Sequence, residues 1–146
     1  MRLEMNEQTA LTCFGGGVDC SQVVFGAAAE QLGLDAATAR KLAAAFGGGM
    51  WRGETCGCVV GALMALGLRY GNAALGDRET KNAFLMKKQQ FEQRFIEENR
   101  SLVCRDILEH DLSTPEGMAH IQQEKLLETV CPRLVCSACR ILEELL

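Results

Sequence analysis

The side chains best equipped for chemistry in this 146-residue chain are its eight cysteines. Three fall where helices are expected to begin: Cys20 after Asp19, Cys56 after Thr55, and Cys131 just before Pro132. A helix N-terminus presents unpaired N–H groups and a partial positive charge. Both favour a thiolate, and a cysteine placed there can fall from a pKa of about 8.5 to roughly 3.5–7.5. The thiolate is the form that attacks disulfides and binds metal ions. Cys56-Gly57-Cys58 is a C-x-C pair, suited to two ligands in a loop but splayed to opposite faces inside a helix. Cys131, Cys136 and Cys139 follow the C-x4-C-x2-C spacing of plant-type ferredoxins. That spacing falls on an expected amphipathic helix rather than a loop, which weighs against cluster ligation by the triplet.

Other motifs are excluded by their surroundings. Cys136-Ser137-Ala138-Cys139 is followed by Arg140 instead of the histidine that haem attachment requires, and no strand precedes it as in thioredoxin-like folds. His110 and His120 have no paired metal-binding spacing, and no nucleotide or nucleophile-elbow motif is present.

The elements that must position these sulfurs read as helices. Pro115 and Pro132 are the only prolines, and strand-like alternation is absent. Asp19, with Gln22 three residues on, resembles a capping box and opens a helix from Cys20 to Leu32 that ends at Gly33. Asp35 opens an alanine-rich helix that stops at Gly47-Gly48-Gly49. Thr55 is expected to cap a third helix, Cys56 to Tyr70. Its apolar residues, Val59, Val60, Leu63, Met64, Leu66 and Leu68, lie nearly all round and predict a central position. Gly57 and Gly61 would let another helix or a bound cofactor approach its backbone closely.

Asp77 to about Arg100 reads as a long amphipathic helix with Phe84, Phe91 and Phe95 on its core stripe, and it offers a face for a homodimer. A short helix from Cys104 to His110 follows. Ser113-Thr114-Pro115-Glu116 starts another. Pro132 opens the last, with Leu134, Val135, Ala138, Ile141, Leu142 and Leu145 in helical period. The expectation is one all-α domain over residues 1–146, a bundle of six or seven helices around the central apolar helix at about 56–70.

Composition narrows the functions. A net charge of −4 and 5% aromatics leave neither a basic footprint nor a stacking surface for nucleic acid. The opening Met1–Glu7 lacks the apolar run of a secretory signal, and Cys56–Leu68 is too short and glycine-broken to span a bilayer. The expected location is cytoplasmic, where cysteines stay reduced unless they perform redox or metal chemistry.

Several blocks also carry a resemblance: Asp19-Cys20-Ser21-Gln22-Val23-Val24, Phe46-Gly47-Gly48-Gly49-Met50, Gly53 through Met64, Cys104-Arg105-Asp106-Ile107-Leu108, Asp111 through Gly117, and Cys131-Pro132. In order and spacing these resemble the C_GCAxxG_C_C family of small redox-active proteins, over about residues 12–146. The resemblance implies four characteristic cysteines, Cys20, Cys56, Cys104 and Cys131, as redox-active thiols. Cys13, Cys58, Cys136 and Cys139 lie outside that set.

Two chemistries then stay open. Four thiolates could ligate an iron–sulfur cluster, of two irons and two sulfides, and carry electrons. Alternatively two form a reversible disulfide and exchange electrons with a redox partner protein, Cys56 attacking with Thr55 and Arg52 nearby and Cys20 or Cys131 resolving. A rival of another class is a structural zinc held by the same four cysteines, and Cys58 is a further candidate ligand for cluster or zinc alike. The plainest alternative is a helical interaction module whose thiols only pack.

Overall fold

A computed structural model describes all 146 residues and contains nine α-helices. They are α1 (Glu7–Gly15), α2 (Cys20–Gln31), α3 (Ala36–Leu42), α4 (Gly57–Tyr70), α5 (Arg78–Asn99), α6 (Cys104–Leu108), α7 (Pro115–Gln123), α8 (Leu126–Thr129) and α9 (Cys131–Leu145). The all-α bundle expected from sequence is present. The two helices beyond the expected count are α1 and the four-residue α8. In α1 Asn6 is the cap, its Oδ1 accepting from Thr9 N at 2.8 Å. That signal sits in a segment with too few core-facing residues to register as periodic, since only Ala10 is buried.

Local capping explains most of the remaining starts. Asp35 Oδ2 accepts from Thr38 N at 2.9 Å before α3, and Asp77 Oδ1 accepts from Thr80 N at 3.1 Å before α5. Thr114 Oγ1 accepts from Gly117 N at 3.0 Å, with Pro115 in the first turn of α7. Ahead of α2, Gln22 Oε1 accepts the Asp19 N–H at 2.9 Å. Thr55 departs from expectation. It does not cap α4 but forms an antiparallel bridge with Val103, and Cys56 itself occupies the N-cap position in extended backbone.

Helix α4 packs against α2, α5 and α9. Its Val59, Ala62, Ala65 and Leu66 are fully buried, joining Phe91 and Phe95 of α5 and Val135, Ile141 and Leu142 of α9 in a core of 25 buried residues. The two phenylalanine rings stack with centroids 5.9 Å apart. The apolar surface of α4 is not closed all round: Leu68 is 43% exposed. A separate, small core of four buried residues, Cys104, Leu108, Leu112 and Ile121, holds α6 and α7 together. No helix is long and apolar enough to cross a membrane.

Candidate functional site

The site forms where the two cores meet. Cys20 opens α2, and Cys56 and Cys58 stand at the start of α4. These three pack with the main core; Cys104 belongs to the small core and Cys131 packs against it. All five line one cavity of about 160 Å³, whose other walls are chiefly apolar, Leu108, Leu112, Leu134 and Trp51 among them. Helix starts and short connections therefore bring together all four of Cys20, Cys56, Cys104 and Cys131.

Backbone pairing aims two of these side chains. Cys56 N donates to Leu102 O at 2.7 Å and Cys104 N donates to Glu54 O at 2.6 Å, flanking the Thr55–Val103 bridge. Side chains alternate along extended backbone, so Cys56 and Cys104 leave this two-stranded clasp on the same face. The extended Cys56 also answers the C-x-C question. With φ −50° and ψ 132° it stands outside the helix that begins at Gly57. Its side chain and that of Cys58 are therefore not splayed, and both line the cavity.

Gly57 provides the close approach expected of it, because a β-carbon there would lie 2.4 Å from Cys20 Sγ. The Cys20 sulfur rests directly on the first turn of α4. Gly61 makes its close approach elsewhere, against Ser21 O and Phe25 N of α2, where a β-carbon would meet them at 2.6 and 3.2 Å. Gly61 is thus a helix-crossing residue and does not line the cavity.

The thiols differ sharply in acidity. The Cys20 sulfur accepts a hydrogen bond from the Cys58 thiol, which outweighs burial, and the Gly48 and Ser21 N–H groups add to it; its pKa falls to about 7. Cys58 is held well above its ordinary value by donating to Cys20 and Cys56, and by its complete burial. Burial pushes Cys104 up to about 12, helped by negative charge at Cys56 and Cys20. Burial likewise drives Cys131 well above the ordinary thiol range. Of the three helix-start cysteines expected to favour thiolate, Cys131 is thereby corrected: desolvation exceeds what the helix end supplies. Arg52, expected near the attacking sulfur, is exposed and does not line the cavity.

The lip of the cavity is a strained turn. Gly48, Gly49, Met50 and Trp51 are consecutive residues with φ between 55° and 64°. Two of these are not glycine, and left-handed backbone costs such residues roughly 1–2 kcal/mol each. The turn supplies the Gly48 N–H to Cys20 and sets Trp51, 47% exposed, on the cavity wall.

Sequence reasoning set Cys58 outside the four family cysteines and named it only as a further candidate ligand; its place on the cavity wall beside them is the main addition to the site. The C-x-C spacing was the available signal. Cys136 and Cys139 lie away from the cavity on α9, and Cys13 packs against the main core. All eight cysteines are unpaired. No three His, Cys, Asp or Glu side chains converge as ligands of one ion would.

Fold and site together define an all-helical, cysteine-centred domain. Residues 18–145 match the family model "Putative redox-active protein (C_GCAxxG_C_C)", and the chain belongs to that family. No curated protein matches the chain, and no solved structure matches it.

Proposed function

We propose that this protein is a thiol–disulfide redox protein whose attacking group is the Cys20 thiolate. The observation that carries this reading is the Cys20 sulfur, seated on Gly57 at the start of α4, with four further thiols lining the same cavity. A thiol with pKa about 7 is substantially ionised near neutrality while keeping more nucleophilicity than a strongly acidic one. The partner is a disulfide-bearing molecule whose bond reaches the cavity past Trp51. Thiols that must be returned to the reduced state after each exchange suit a reducing compartment such as the cytoplasm.

A second reading is favoured by a different observation, the four family cysteines facing one cavity from both cores. Cys20, Cys56, Cys104 and Cys131 would hold an iron–sulfur cluster, which supplies one-electron transfer when bound. Four thiolates are the usual ligand count of such a cluster, and the cavity gathers these four from both cores. In that case Cys58 would donate its hydrogen bond to ligand sulfurs, a recognised means of tuning potential.

The deciding experiment is anaerobic purification followed by iron analysis, a visible spectrum and a disulfide-reduction assay. Colourless, iron-free protein that reduces a small disulfide, and loses this on Cys20→Ser substitution, is expected. Stoichiometric iron with visible absorbance, lost on replacing Cys104 or Cys131, would overturn thiol exchange in favour of the cluster.

A further inference from the structure

The cavity that gathers the five thiols has walls of one kind. Phe14 of α1, Leu108 of α6, Leu127 of α8 and Leu134 of α9 enclose it, together with Leu112 and Trp51. The lip is tight: a β-carbon on Gly48 would lie 2.9 Å from Leu112 Cδ2 and 3.0 Å from Trp51 Cε3, so both side chains rest on that backbone. Apart from the thiols, the half-buried Asp19 is the only ionisable side chain on the walls, and no lysine, arginine or histidine lines the cavity. The space, about 160 Å³, resembles apolar protein cavities of about 150 Å³ that admit a benzene ring.

We propose that the disulfide taken by this site carries a compact, uncharged apolar group next to the sulfur that Cys20 attacks, and that disulfides bearing carboxylates are rejected. The inference rests on the thiol–disulfide reading above and names its substrate class. The Cys20 thiolate attacks the partner R–S–S–R. A Cys20–S–S–R bond forms, the S–S bond of the partner breaks, and the first RS⁻ leaves and takes a proton from solvent. A second cavity thiol then attacks Cys20 Sγ, and its proton passes to the departing second RS⁻. Two electrons move from two cysteines to the partner, which ends as two RSH.

Between these steps the group R is fixed within the cavity, so the walls around Cys20 select it. An apolar R exchanges water for an apolar surface, and a flat one can lie against the Trp51 ring. A carboxylate on R would lose its water with no cation in its place. It would also join two negative charges, those of Asp19 and the Cys20 thiolate, in a site of low polarity.

The test compares two disulfides on the full-length reduced protein. Dipyridyl disulfide is neutral, and the disulfide of carboxynitrothiophenol carries a carboxylate on each ring. Loss of free Cys20 is followed by alkylation quench and mass spectrometry. Each rate is divided by that of a cysteine peptide, which removes the difference in intrinsic reactivity. The neutral reagent is expected to be favoured at Cys20 by at least about tenfold. Cys136 is the internal comparison: it lies half-buried in a separate groove beside Arg133 and Arg140 and should show no such preference. Asp19→Asn removes the charge but keeps a residue that caps α2 equally well, and it should narrow the preference by about threefold or more. Altered acidity at Cys20 would move both rates together and leave their ratio unchanged. Equal normalised rates at Cys20 would overturn the substrate class while leaving thiol exchange standing. The same preference at Cys136 would overturn it too, as general repulsion by a chain of net charge −4. A ratio unmoved by Asp19→Asn would overturn the part assigned to that carboxylate. Failure of every cavity thiol to react with either reagent would overturn the thiol-exchange reading itself. The wild-type comparison decides the substrate class without any variant having to fold.

Discussion

The Cys20 sulfur is acidic because of what touches it, and each contact can be removed separately. Its thiolate is lost as pH falls through about 7 and becomes the main form as pH rises above it. Alkylation of Cys20, followed by mass spectrometry at a series of pH values, should therefore rise from pH 6 to 8 with a midpoint near 7. Cys104 and Cys131, pushed up by burial, should stay unmodified over the same range. Gly57→Ala tests the seat on α4. Its backbone is helical, so the added β-carbon brings no left-handed strain, but it would meet Cys20 Sγ at 2.4 Å and Phe46 O at 2.9 Å. The sulfur must move off α4 and loses the hydrogen bonds from Cys58 and Gly48. We expect the alkylation midpoint to rise toward the ordinary value of about 8.5, with an overpacking cost of about 1–3 kcal/mol in chemical denaturation. An unmoved midpoint would mean that the acidity comes from the helix end alone.

Among the elements, the turn from Gly48 to Trp51 contributes most to the site for its size, and it pays for its shape in backbone strain. Met50 has φ 58° and is 41% exposed, so little packing offsets the left-handed penalty. Met50→Gly should raise stability by about 1 kcal/mol, measured as a shifted denaturation midpoint. Gly49→Ala should do the reverse, since a β-carbon there would lie 2.4 Å from Glu54 N. This turn also marks where the sequence stopped being readable. Helices announced by Asp35, Asp77 and Thr114-Pro115 were legible because their caps and periodicity are local signals. Three glycines signalled the end of a helix, but nothing local said that methionine and tryptophan would continue in left-handed backbone. Four site cysteines were legible through the family resemblance, and three of them also through helix starts. Cys58 was not, because its role depends on Cys56 being extended. That follows from pairing with residues 102–104, nearly fifty positions away in the chain. Non-local pairing of this kind leaves no periodic trace.

At the scale of the whole molecule, the cavity lies between a core of 25 buried residues and one of four, and this division separates the two proposed chemistries. A core as small as that of α6 and α7 holds little apolar surface, so this region should open at a lower free energy than the bundle around α4. Native-state hydrogen exchange should accordingly be faster in Pro115–Gln123 than in Gly57–Tyr70. A disulfide from Cys20 to Cys56 or Cys58 lies wholly on the side of the main core, with no sulfur from the smaller one. Oxidation by thiol exchange should then leave exchange in α7 unchanged while protecting the start of α4. A cluster held by Cys20, Cys56, Cys104 and Cys131 would instead fasten the two cores together. Its binding energy would have to be overcome before the smaller core could open, and exchange in α7 would slow by at least about tenfold, ~1.4 kcal/mol. Exchange measured on anaerobically reduced, thiol-oxidised and iron-reconstituted samples therefore tests the chemistry at a distance from every sulfur involved. Protection of α7 confined to the iron-treated sample would favour the cluster, and protection confined to the start of α4 after oxidation would favour thiol exchange within the main core.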